Sequence, residues 1–420
     1  MRNPTAPPSP EGGIAHVLRR LGFGPAPFQA EELAGTTDAR SLAAAMVDGA
    51  ADRRGDDEPD LGDGDAEGAL MTWWLRRMVG ATDDLHERMV WYWHGHLTSS
   101  LSKATAQSMW EQHLVLRDHA LGSFRELLQA MTVDGAMLWF LDGAWATAGT
   151  PNENFARELF ELFALGRDAY GEDDVRAAAR VFTGWGVDWE TNEVTWHPDN
   201  AYRRPVTVFG VRRRWTAEEL IDAVCDHEAC APHVTRRLYR HLVGTDPEAA
   251  RLAELADGFR ASGLEIRPLV RAIVTGDDFH AAVRNRPRSP VEWFAAALRT
   301  LGHGPDDPLD PWWAMQLGQV PFRPPNVAGW PDDVRWLGAN QVLLRASTAF
   351  AALPDGVLPD HVVDAVEPTV DAVLAHCGVH DPSDATLATL RRALDDQGEY
   401  AQGLDLLLLL TLLSPEFSLA

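Results

Sequence analysis

Between residues 66 and 183 apolar side chains recur every three or four positions, the period of helices with one buried face, and short polar connections separate the runs. The spacing predicts helices over 66–80, 83–97, 103–121, 123–141, 151–165 and 171–183, six in succession as in a bundle. The pattern turns to alternation at 193–196 and 205–209, flanking a turn-rich stretch, which predicts one β-hairpin. Helical spacing then returns over 217–226, 233–242, 247–261, 266–274, 290–301 and 339–352. A proline-rich segment at 321–331 cannot continue a helix and reads as a shaped loop. Ahead of all this a proline-rich start precedes a short helix over 13–21, and residues 52–65 are acidic, glycine-rich and expected to be a mobile surface loop. The expectation is a mainly α protein: a large helical bundle-like domain with one small β-hairpin insertion. Residues 1–12 are expected to be disordered and 13–420 to form a single domain, with a core bundle 66–185, the hairpin 190–212 and a C-terminal helical half 215–420.

One predicted helix carries two incompatible faces. Thr150, Pro151 and Glu153 read as a capping box with proline at the first helical position, and Gly166 as the left-handed stop. Phe155, Leu159, Leu162 and Phe163 form an apolar stripe, while Asn154, Arg157, Glu158 and Glu161 form a polar one, with Arg157 and Glu161 spaced to pair. Phe160 falls outside the apolar stripe and narrows the angle left for solvent. If that face is buried, Glu158 and Glu161 need a cation beside them.

Composition narrows the partners. The 420 residues carry a formal charge of −25, which argues against nucleic acid or an anionic membrane surface. Lys103 is the only lysine, so the positive charge is almost all arginine. Cys225, Cys230 and Cys377 have no metal-knuckle spacing and do not suggest a disulfide scaffold. The longest apolar run, 404–413, is too short to cross a bilayer and reads as a buried C-terminal helix. With no apolar core to an export signal at the N-terminus, a cytoplasmic location is expected.

Imidazoles supply the other candidate chemistry. His94 and His96 flank Gly95; on a regular helix they point about 200° apart, but a bend at the glycine lets both reach one metal. Glu87, Trp91 and His94 share a helical face, so His94 has an alternative orienting carboxylate. His113 and Arg117 read as an exposed or capping pair, Glu172 as a partner for Arg176, and the cluster 226–230 as a helix cap. Phosphate loops, serine-nucleophile elbows and dinucleotide fingerprints are missing.

Several blocks occur together: His16 to Gly24, Trp93-His-Gly-His96, His119 to Leu127, Pro151 to Leu159, Val175 to Trp185, and Pro324-Pro-Asn-Val-Ala-Gly-Trp-Pro331. In order and content they resemble the bacterial domain-of-unknown-function family numbered 1800, along nearly the whole chain. The resemblance implies a polar functional centre built from these blocks. It also implies a protein partner, since relatives are often encoded beside a sulfatase-like family. Two features depart from it: the hairpin turn is Ala201-Tyr-Arg-Arg-Pro-Val-Thr207, downstream of His197, instead of a histidine-, aspartate- and lysine-containing turn, and the export signal common among relatives is missing.

Together these readings lead to an α-helical enzyme, a metal-dependent hydrolase or oxidoreductase. Its site is expected between the 83–97, 103–121 and 151–165 helices, beneath the hairpin and the 324–331 loop. His94 and His96, with Glu158 or alternatively Glu161, would hold a divalent transition metal, zinc or iron; Arg157, Glu158 and Glu161 would be catalytic; Asn154, Trp91, Asn326 and Trp330 would contact substrate. The alternative is a non-catalytic helical binding or assembly protein, with a buried Asn154, Arg157 and Glu158 network and tryptophans forming a partner groove. A third is a metal-free hydrolase with Glu158 as base.

Overall fold

The computed structural model describes residues 7–51, 58–62, 64–81, 84–304, 307, 311–331, 334–353, 358–396 and 403–420. Half of the expected loop at 52–65, residues 52–57 and 63, lies outside these residues. Helices dominate, and several begin where a side chain supplies an acceptor for the first free N–H groups. Ser9 caps the helix Pro10–Leu21, Asp84 caps Leu85–His96, and Thr105 with Ser108 forms a capping box on Ala106–His119. The first helix therefore starts at Pro10, inside the segment expected to be disordered. The expected 123–141 helix is two, Phe124–Thr132 and Gly135–Phe140, because Asp134 turns out of the first and caps the second.

Two small antiparallel hairpins replace the single one expected. Strand β1 (Trp185–Val187) pairs with β2 (Val194–Trp196), placing Trp185 opposite Trp196, and β3 (Val206–Val208) pairs with β4 (Val211–Arg213). The two strands with visible alternation thus each take a different, less obvious neighbour.

The 151–165 helix is also corrected. Thr150 is held in a turn, its N–H donating to Thr147 O at 3.0 Å, so it caps nothing; the Asn154 N–H donates to Asn152 Oδ1 instead. The α-helix runs only over Asn154–Glu158 and widens into a π-helix over Leu159–Ala164. Gly166 does stop it, at φ +87°, with its N–H on Phe160 O. Phe155, Leu159, Phe160 and Phe163 are buried.

A continuous apolar core links the helices from Pro10–Leu21 to Gly403–Leu412. It contains ion pairs as well. Glu87 accepts from Trp74 Nε1 at 2.6 Å and from Arg117 Nη1 at 2.9 and 3.1 Å, all buried. His113 lies beside Trp73, Trp74 and Trp110, so His113 and Arg117 are interior and not the exposed pair expected. The three cysteines are buried and free. No helix among the described residues is long and apolar enough to cross a membrane.

Candidate functional site

The helix Leu85–His96 stays α-helical through Gly95, so nothing bends His94 and His96 together and their rings leave on different sides. His94 is buried against Trp74, Phe322 and Trp330, and its Nε2 accepts the Phe322 N–H at 3.2 Å. That bond occupies the lone pair a metal would need. Burial holds the His94 imidazole down to about 3, so it stays neutral. The expected contact between His94 and Glu87 is not made, because Glu87 is spent on Trp74 and Arg117.

His96 turns the other way and donates Nε2–H to Phe163 O at 2.9 Å, while His233 Nε2 meets Leu162 O at 2.9 Å. Both carbonyls belong to the π-helix, whose last turns leave C=O groups without partners inside the segment. The 151–165 segment therefore does reach His96, but through its main chain.

Its charged side chains go elsewhere. Asn154 donates to Asp142 Oδ2 at 2.9 Å, beside the Lys103–Asp142 pair, on the exposed surface. Arg157 pairs with Glu153 at 3.1 Å and Glu172 at 2.7 Å, and Glu161 with Arg167 at 2.8 Å, so neither the expected Arg157–Glu161 pair nor the Glu172–Arg176 pair forms. Arg176 takes Asp173 instead. Glu158 is half-buried; burial and the neighbouring Glu161 raise its carboxyl, with Arg157 opposing. Among the described residues no group of three histidines, cysteines or carboxylates can hold a metal ion. The metal set His94, His96 and Glu158 is therefore not brought together, and Arg157, Glu158 and Glu161 do not face the histidines as a catalytic group.

What the structure does bring together is a cleft of about 440 Å³ on the other side of the His96 helix. Trp91, Asn326 and Trp330, the expected substrate contacts, line it, together with Tyr92, Gly95 and His96. The proline-rich loop forms one wall. Its Trp330 stacks on Trp91 with ring centroids 5.1 Å apart and planes 18° from parallel, and Trp336 Nε1 donates to Pro331 O at 2.6 Å. Cationic groups line the rest: Arg237 and Arg240 from the helix Cys230–Val243, and Arg286 from the segment entering the helix Pro290–Thr300; His241 from the former helix lines it too, held neutral by burial and the arginines around it.

Among the described lining residues Glu292 is the one carboxylate, and it is already engaged. Its Oε1 accepts from Arg286 at 2.8 Å and pairs with the buried Arg88, while Oε2 accepts the Ser289 N–H at 2.8 Å in a capping box. Burial alone would raise this carboxyl; Arg286 and Arg88 outweigh it and hold the group well below the ordinary carboxylate range. Among the described lining residues Arg237, Arg240, Arg286 and Arg335 outnumber this carboxylate, inside a chain of charge −25. Arg240 is partly offset by Asp246 at 3.5 Å, and Arg237 has no hydrogen-bond acceptor among the described residues.

The sequence reading missed Arg237, Arg240, His241, Arg286 and Glu292. Ser289-Pro-Val-Glu292 carried a visible signal, the same capping-box pattern with proline at the first turn that was read at Thr150. The arginines carried none, since their helix is amphipathic in the ordinary way.

Fold and site define a mainly helical protein with an arginine- and tryptophan-lined cleft. The chain belongs to the family described as Protein of unknown function (DUF1800), whose model matches residues 16–419. No curated protein and no solved structure matches it.

Proposed function

We propose that this protein is a binding protein whose cleft receives an anionic group attached to a flat or apolar body. The observation that carries this is Arg237, a cleft guanidinium with no acceptor among the described residues, beside a carboxylate, Glu292, that Arg88 and Arg286 already share. A guanidinium without an acceptor in a partly desolvated site favours a bound carboxylate, phosphate or sulfate. The stacked Trp91 and Trp330, with Trp336, supply apolar area beside it. This develops the binding-protein alternative drawn from the sequence, with a different ion network from the one expected there. A protein partner that presents an acidic residue, such as the sulfatase-like protein suggested by the family resemblance, is one carrier of such a group. The zinc- or iron-dependent hydrolase or oxidoreductase is the competing reading, and the separation of its expected ligands weighs against it.

Calorimetric titration with cyclohexanecarboxylate and cyclohexyl phosphate tests the proposal. Wild type should bind at least one of them in a salt-dependent manner, and Arg237→Ala/Arg240→Ala should weaken binding by about tenfold or more. Equal binding by that variant would refute the cleft assignment. Elemental analysis addresses the competing reading: a stoichiometric metal lost in His94→Ala/His96→Ala would restore it.

A further inference from the structure

The cleft wall also asks for hydrogen-bond partners that an anion by itself lacks; this inference rests on the anion-binding reading above. His96 commits its Nε2–H to the Phe163 carbonyl, so in the neutral ring Nδ1 carries the lone pair. That atom is buried and has no partner among the described residues. His241 Nε2 and Arg286 Nε, on residues lining the same cleft, are buried and partnerless as well. His16 and His376 share the half-satisfied pattern but lie outside the cleft.

A buried polar atom without a partner forfeits its hydration with nothing in return, and a cleft whose walls hold three of them is accounted for if its occupant completes them. Their needs differ. Arg237 and the Arg286 Nε–H need acceptors, whereas the His96 lone pair needs a donor. A bare carboxylate or phosphate dianion offers only acceptors; a hydroxyl offers the donor. Trp330, held flat on Trp91, adds a plane suited to an apolar ring face.

We propose that the cleft's ligand is a hydroxylated anion with one flat apolar face, the chemistry of an acidic saccharide. Its carboxylate or phosphate sits on Arg237 and Arg240, a ring hydroxyl donates to His96 Nδ1, and its C–H face lies on Trp330.

Matched probes read the hydroxyl directly: glucuronate against cyclohexanecarboxylate, and glucose 6-phosphate against cyclohexyl phosphate, by calorimetry on the full-length protein. Wild type should hold the hydroxylated member of at least one pair about tenfold tighter or more, and the pair that shows it tells a carboxylate from a phosphate ligand. His96→Asn, whose side-chain oxygen reaches the Nδ1 position, should keep that preference. His96→Gln, whose polar atoms reach the Nε2 position instead, should lose it. Equal affinities within both pairs for wild type overturn the hydroxylated ligand and leave the anion site standing; failure of all four probes to bind overturns the anion site too. A preference that survives in His96→Gln overturns the role given to His96. Because the wild-type comparison decides the ligand class, the inference stays testable even if a variant fails to fold.

Discussion

Gly329 rests directly on Gly95: a Cβ added at 329 would lie 2.4 Å from the Gly95 carbonyl oxygen. The position is also left-handed, at φ +79°, so glycine is required there for two reasons. Through this contact the proline-rich loop is seated on the helix that carries His94 and His96, and Trp330 is laid on Trp91.

Gly329→Ala should therefore lift the loop wall. We expect a loss of about 1–3 kcal/mol in urea unfolding and a fall in affinity for the anionic probes exceeding that stability loss in proportion. A variant with wild-type affinity would show that the loop is not a working wall of the cleft.

Glu292→Gln removes the one carboxylate between Arg88 and Arg286. Leaving two guanidiniums buried without it should cost about 3–5 kcal/mol. The pH dependence has a defined sign, because the folded pKa of Glu292 is depressed. Its contribution is complete above the unfolded value of about 4.3 and is lost as pH falls through the folded value. The stability gap between wild type and variant should be flat from about pH 7 to 5 and shrink below about 4.3. A gap that widens in acid contradicts the ion network.

Asp134 behaves in the opposite way. Burial pushes its carboxyl up to about 7, although Met137 N–H donates to it at 2.8 Å and Gln112 Nε2 at 2.6 Å. With the folded value raised, the stability it contributes is present below the unfolded value of about 3.9 and is lost as pH rises through the folded one. Asp134→Asn keeps the acceptor oxygen without the charge. Relative to the variant, wild type should lose stability between about pH 4 and 7 and no more above it. Unfolding midpoints that run parallel across this range would rule the shift out.

Arg157→Ala should leave both thermal unfolding and probe binding unchanged within error, since its partners Glu153 and Glu172 are at the surface. A marked loss of binding would return the charged face of the 151–165 segment to the site.

Much of the helical architecture was legible in the chain because the 3.6-residue period and the capping residues are local signals. Six helices were read between 66 and 183, though the capping action of Asp134 split one of them. The wall residues Trp91, Asn326 and Trp330 were also legible, since a loop with its prolines and a tryptophan-rich helix stand out from their surroundings. Thr150 and Ser289 show the limit: both begin a capping-box pattern with proline in the next position, yet only Ser289 caps. A turn with Thr147 takes Thr150 out of play, a contact the motif does not encode.

By itself the sequence determined a mainly helical chain of high negative charge, with one rigid loop and a conspicuous Trp91 to His96 segment. The tertiary structure decided which way each polar face points. His94 and His96 diverge because the helix does not bend at Gly95, and Arg157 and Glu161 find surface partners in Glu172 and Arg167, which the fold brings alongside. Arg237, Arg286 and Glu292 meet the tryptophan loop only when helices distant in sequence pack together. Helix period and caps depend on neighbouring residues, whereas the charge of a cleft depends on which walls the fold sets face to face.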